Sequence, residues 1–222
     1  MSVLHLQLKP ATDQPASFFG GLPFLADSGQ WPRCPTTGQP QLHLFTLDSD
    51  FFFTPTIGAA HAVSVFVSFD FAQRGNSLSL SRELAINLPE QAGNVNRGYA
   101  RVLLHEPGAV PCPAPSEVYL PLPVCAIERG PFSPQEIKEE VTTPGRGLDV
   151  SKFGGIPGWL QDDISLGPKF GYLLQISEFD IRAVSPAHEG VFRDGMGYLL
   201  LNRNSRKLAP PCETGHFFIQ FT

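Results

Sequence analysis

Phe19-Gly20-Gly21-Leu22-Pro23 and Phe153-Gly154-Gly155-Ile156-Pro157 are one five-residue pattern used twice. Each copy is followed by a tryptophan, Trp31 or Trp159, and then by an apolar run, Leu42 to Leu47 or Tyr172 to Ile176. Self-similarity of this kind bears on the fold more than any single residue does. Paired glycines permit backbone angles that a side chain forbids, and a following proline fixes the direction in which the chain leaves. The pattern therefore predicts two halves on one plan: a glycine turn, a tryptophan loop, then three strands. The last of the three is Tyr99 to His105 in the first half and Phe217 to Phe221 in the second.

Around these turns the apolar residues follow the period of a strand. Val3 to Leu8 places Leu4, Leu6 and Leu8 on one side, and Ala62 to Phe69 does the same for Val63, Val65, Val67 and Phe69. Tyr198 to Leu201 is short and wholly apolar. Phe51, Phe52 and Phe53 cannot all face one core from a strand, so one of them is expected at the surface or under a loop. One helix start is clear: Ser133 as N-cap, Pro134 after it, and Glu136 completing a capping box. Ile137 and Val141 then share a face. The proline-rich stretch Pro111 to Pro123 suggests a boundary. The expected organisation is a first half over 1–110, a connection over 111–132 and a second half over 133–222. The expected fold class is α+β: mainly antiparallel strands, internally duplicated into two pseudo-equivalent halves, with few short helices.

Composition narrows the function classes. The chain has 222 residues, 42% of them apolar and 17% charged, which is globular composition. Its net charge is −5 and it has no cluster of Lys and Arg, which argues against nucleic acid. No stretch has the length of a membrane-spanning helix, and Met1 to Pro10 alternates instead of forming a basic region and an apolar block. Cys34, Cys112, Cys125 and Cys212 include no C-x-x-C pair, so four reduced thiols and a cytoplasmic setting are expected.

Catalytic and metal signatures are absent from the pattern. There is no Gly-x-Ser-x-Gly elbow. His5, His43, His61, His105, His188 and His216 stand singly, and His61, His105 and His216 at strand ends read as surface groups. Asp48 with Asp50, and Asp162 with Asp163, sit where aspartate serves turns. The double glycines lack the Lys and Ser/Thr of a phosphate loop. No cofactor and no metal is expected, and whether the chain is an enzyme is left open, leaning against. Gly20, Gly21, Pro23, Gly154, Gly155 and Pro157 read as structural turns. Trp31 and Trp159 either stack on a ligand or partner or cover the ends of the core.

At these positions the chain resembles the YwqG-like family of bacterial domains. The resemblance is carried by both Phe-Gly-Gly-x-Pro turns, Trp31-Pro32, the strand Tyr172 to Asp180 with Gln175, and Asp194-Gly195-Met196-Gly197 leading into Tyr198. It departs at Leu44-Phe45-Thr46-Leu47, where the family often has alanine-glutamine-isoleucine, and at the N-terminus, which opens with a strand. The resemblance implies a duplicated α+β domain with no established catalytic residues, and an association with toxin–immunity loci. The first functional expectation is a cytoplasmic immunity protein that binds and neutralises a toxin, with no nucleic-acid or membrane partner. The alternative is a small-molecule binder or enzyme with a site between the halves. The candidate binding residues are Trp31, Phe52, Trp159, Gln175 and Asp194.

Overall fold

Alternation of apolar residues becomes a ring of strands. The computed structural model describes residues 3–71, 78–115 and 122–221. In chain order the elements are β1 (Val3–Pro10), β2 (Phe18–Phe19), β3 (Leu42–Asp48), β4 (Ala62–Val67), β5 (Phe69–Phe71), β6 (Leu78–Leu80), β7 (Ala100–His105), β8 (Cys125–Pro131), α1 (Pro134–Glu140), β9 (Lys152–Gly154), β10 (Phe170–Ser177), α2 (Glu178–Val184), β11 (Met196–Asn202) and β12 (Cys212–Gln220). A closed barrel runs β1-β8-β2-β3-β4-β7-β12-β11-β10-β9, and β1 seals it by pairing with both β8 and β9. Its neighbours are antiparallel throughout, and β5 and β6 form a separate two-stranded sheet.

The fold class expected from the sequence is thereby corrected: the chain is a closed antiparallel β-barrel, not a duplicated α+β fold. The physical reason is edge pairing. Two separate halves would each leave strand edges with unpaired N–H and C=O groups, and closure into one ring removes them. The pairings that close it join residues far apart in sequence, such as Leu4 with Phe153 and Val102 with Gly215. Among the described residues helix is confined to α1, α2 and 3-10 segments, the longest of them Pro89–Arg97. The capping box at Ser133 forms as the sequence indicates, but Ile137 on that short helix and Val141 just after it are exposed. Of the proline-rich connection, residues 116–121, Pro121 among them, lie outside the described residues, while 125–131 form the barrel strand β8.

The interior is one apolar cluster that draws on strands from β1 to β12, including Leu6, Phe45, Val65, Leu104, Leu199 and Ile219. A second cluster lies on the other face of β11 and β12, where Met196, Tyr198, Leu200 and Phe218 pack with Trp159 and Ile164. Burial on both faces explains why Tyr198 to Leu201 is an unbroken apolar run. Among the described residues no helix is long and apolar enough to cross a membrane.

Candidate functional site

Polar residues inside apolar strands are costly unless they are bonded, and β3, β4 and β7 carry four of them side by side. The register sets Thr46 opposite Ser64 and Ala62 opposite His105. His43 Nδ1 lies 3.0 Å from Gly20 O and 3.3 Å from Gly21 O, and its Nε2 lies 2.8 Å from Thr46 Oγ1. Thr46 Oγ1 is 2.7 Å from Ser64 Oγ, which is 2.8 Å from His105 Nε2. His105 Nδ1 ends the chain 3.1 Å from Glu106 O. Burial pushes the His43 imidazole down to about 3, against the upward pull of the Gly21 and Gly20 carbonyls. Burial also lowers His105, which is not the surface group its place at a strand end suggested.

This chain of contacts runs from the first glycine turn to a cleft of about 370 Å³. Its polar lining includes Thr46, Asp48, Ser49, Asp50, His61 and His105, and Pro15, Phe24 and Pro107 give it an apolar wall. Among the described residues no Lys or Arg lines it. Asp48 Oδ1 accepts from Ser17 Oγ at 2.7 Å and caps the 3-10 turn after β3 through Phe51 N. The His61 ring rests against Gly58, and its buried Nδ1 has no hydrogen-bond partner. Asp48 and Asp50 are the carboxylates of the lining. The loop carrying Ser49, Asp50 and Ala59 also walls a second cleft, of about 570 Å³, with Phe52, Phe53 and Arg206.

The residues singled out from the sequence fall in several places. Trp31 is buried in the barrel core, where its Nε1 donates to Gln41 O and its ring meets Phe66 edge-on. Trp159 is buried in the second cluster against Tyr198 and Phe218. Gln175 has no exposed surface: its Oε1 accepts from Gly158 N and Tyr172 Oη, and its Nε2 donates to Leu148 O and Val150 O. Asp194 is exposed at a positive φ of 59° in the loop whose Gly190 and Phe192 N–H groups donate to buried Glu178. Phe52 is buried against Phe51 and Phe153 and lines the second cleft. Only Phe52 of the five lines either of these clefts.

The glycine turns are held from beneath. Gly20 and Gly21 take positive φ and offer their carbonyls to His43, while Pro23 O accepts from Cys112 N. Gly154 and Gly155 also take positive φ. Below them Lys152 Nζ donates to Glu140 Oε1 at 2.9 Å and Oε2 at 2.7 Å. Glu140 also accepts from Leu148 N and Ile156 N, and Pro157 O accepts from Gly147 N. Burial lowers the Lys152 ammonium and the Glu140 carboxylate pulls it back up. The second turn is thus tied down by its own ion pair, with no donor or acceptor of Gln175 left over for a ligand.

Thr46, His61 and His105 were the residues that strand-by-strand reading missed. The signal for Ser64 was a single polar residue within the otherwise apolar β4, whereas Thr46 shares β3 with His43 and Asp48. Among the described residues no three His, Cys, Asp or Glu side chains converge to hold a metal ion. No family model matches the chain, and no curated protein matches it.

Proposed function

We propose that the protein binds a small organic cation, an ammonium head on a short apolar body, in the cleft lined by Asp48, Asp50, His61 and His105. The observation that carries this reading is the cleft's one-sided chemistry. Among the described residues it offers two carboxylates and hydroxyls and no Lys or Arg side chain. A group with several N–H donors and a positive charge answers that lining, and Phe24, Pro15 and Pro107 suit an apolar remainder. Mouths of β-barrels are a common place for such pockets. The cytoplasmic setting expected from the free cysteines is kept as part of this reading. The YwqG-like resemblance assigns no residue role to this cleft.

A thermal-shift panel tests it, with n-butylammonium, n-butanol and butyrate at equal concentration. The ammonium is expected to raise the melting temperature by mass action and butyrate to leave it unchanged. Asp48→Asn keeps an oxygen to cap Phe51 N and removes the charge, and is expected to weaken ammonium binding about tenfold, or ~1.4 kcal/mol. Stabilisation by butyrate, or an ammonium response indifferent to Asp48→Asn, would overturn the reading.

A second reading, a protein that occludes a toxin, has one observation in its favour. Phe53 is 55% exposed beside the second cleft, with the Arg129 guanidinium 4.5 Å from its ring centre. An exposed aromatic next to an arginine is the composition of an interface anchor.

A further inference from the structure

We infer that the ligand is a linear amino acid: its ammonium sits in the cleft of Asp48 and Asp50, and a carboxylate at the far end of its apolar body meets Arg206 in the neighbouring cleft. This rests on the cation-binding reading and names the class of ligand for it.

The two clefts share a wall. Ser49, Asp50 and Ala59 line both of them. Ser49 and Ala59 are small, so the divide they make is low. Ser49 Oγ donates to Ala59 O at 2.8 Å, which ties the divide together and turns the hydroxyl to the backbone. The Ser49–Phe51 turn that carries it is capped by Asp48. Asp50 stands exposed on the divide, so an ammonium bound there is already at the edge of the second cleft.

The second cleft, of about 570 Å³, supplies the charge that the first lacks. Its lining holds one carboxylate, Asp50, and one guanidinium, Arg206. Among the described residues neither side chain takes part in an ion pair, with the other or with a third group. Opposite charges that line one cleft without meeting leave a gap. A molecule with an ammonium at one end and a carboxylate at the other spans that gap and answers both. Arg206 is presented by the 3-10 turn Ser205–Lys207, whose buried Ser205 Oγ donates to Asn202 O at 2.6 Å. The position of the guanidinium is thus set by a turn that is anchored from inside the barrel wall.

The rest of the second lining suits the body of such a ligand, with Phe52, Phe53, Pro55 and Ile57. Phe53 is held ready for contact. The Arg129 guanidinium lies 4.5 Å from its ring centre, the Phe153 ring stands 5.6 Å away edge-on, and Arg129 Nη1 is itself fixed by donating to Phe51 O at 2.6 Å. A methylene chain laid on the exposed part of that ring buries apolar surface without first having to order the side chain. An exposed arginine alone holds a carboxylate weakly. Tethered to a bound ammonium, the carboxylate meets Arg206 at high effective concentration. Butyrate has no such tether, which is why it leaves the melting temperature unchanged while an amino acid does not.

The test is titration calorimetry at neutral pH with pairs matched in chain length: n-butylammonium with 4-aminobutyrate, n-hexylammonium with 6-aminohexanoate, and n-octylammonium with 8-aminooctanoate. In at least one pair the amino acid is expected to bind about fivefold tighter than its amine. Arg206→Gln should bring that amino acid to the affinity of the amine or below it, and Arg206→Lys should keep part of the advantage. If neither variant folds, the wild-type pairs decide alone. No advantage at any length overturns this inference and leaves cation binding standing if the amines still bind. An advantage that survives Arg206→Gln overturns the assignment of the carboxylate to Arg206. Amines and amino acids that all fail to bind overturn the cation reading itself.

Discussion

Burial holds the His43 imidazole at about 3, whereas the unfolded chain offers an ordinary 6.5. Between those values the unfolded state binds the proton and the folded state does not, so stability rises with pH. The stabilisation is complete above 6.5 and is lost as pH falls toward about 3, at ~1.4 kcal/mol per pH unit for a single group. His105 is shifted the same way by burial. Glu178 works in the opposite sense: burial raises its carboxyl above 4.5, and its contribution is lost as pH rises through that folded value. Two histidines outweigh one carboxyl, and urea midpoints are expected to fall steadily from pH 7 to pH 5. His43→Gln should flatten that slope, whatever its effect at pH 7. A midpoint constant over the range would contradict the burial of a neutral His43. None of this was legible from the histidines as isolated letters. What turns His43, a lone histidine in the sequence, and His105, read there as a surface group, into parts of one buried chain is the register of β3, β4 and β7, which brings residues 43, 46, 64 and 105 together.

Turns are the elements that the sequence announced most plainly. A double glycine before proline reads as a sharp turn, and Gly20, Gly21, Gly154 and Gly155 all take positive φ. Why the second turn cannot vary was hidden, because Glu140 ends α1 and Lys152 belongs to β9, and they meet only in the folded barrel. A Cβ on Gly155 would stand 2.3 Å from Glu140 Oε1, at a φ of 78°. Gly145 has a similar φ of 75° but nothing within 4 Å of such a Cβ. Gly155→Ala is therefore expected to cost about 3 kcal/mol, from left-handed strain and overpacking on the ion pair. Gly145→Ala should cost about 1 kcal/mol, from strain alone. Denaturant unfolding of the two variants measures the difference, and equal losses would mean that the Glu140–Lys152 pair yields freely. Gln175 shows the limit of letters at this scale. An amide in a strand looks available, yet its donors and acceptors are all spent on the 148–158 loop and Tyr172.

At the scale of the whole molecule, closure decides what is surface and what is interior. Alternation revealed strands, and the repeated turn suggested two units. It could not reveal that β1 would lie between β8 and β9, a pairing across more than a hundred residues that converts open edges into a ring. Once the ring is closed, Trp31 is in the core, Gln175 is buried against the 148–158 loop, Trp159 is part of the second cluster, and the open chemistry is left in the cleft where β3, β4 and β7 bring up Asp48, His61 and His105. The most direct measurement of that assignment is a backbone amide chemical-shift map recorded while n-butylammonium is added, with butyrate as the matched anion. Cation binding in the cleft predicts saturating shifts confined to 46–50, 59–62 and 105–108 with the ammonium and none with butyrate. Shifts centred on 153–160, 175 and 194, or a response to butyrate in place of the ammonium, would contradict it.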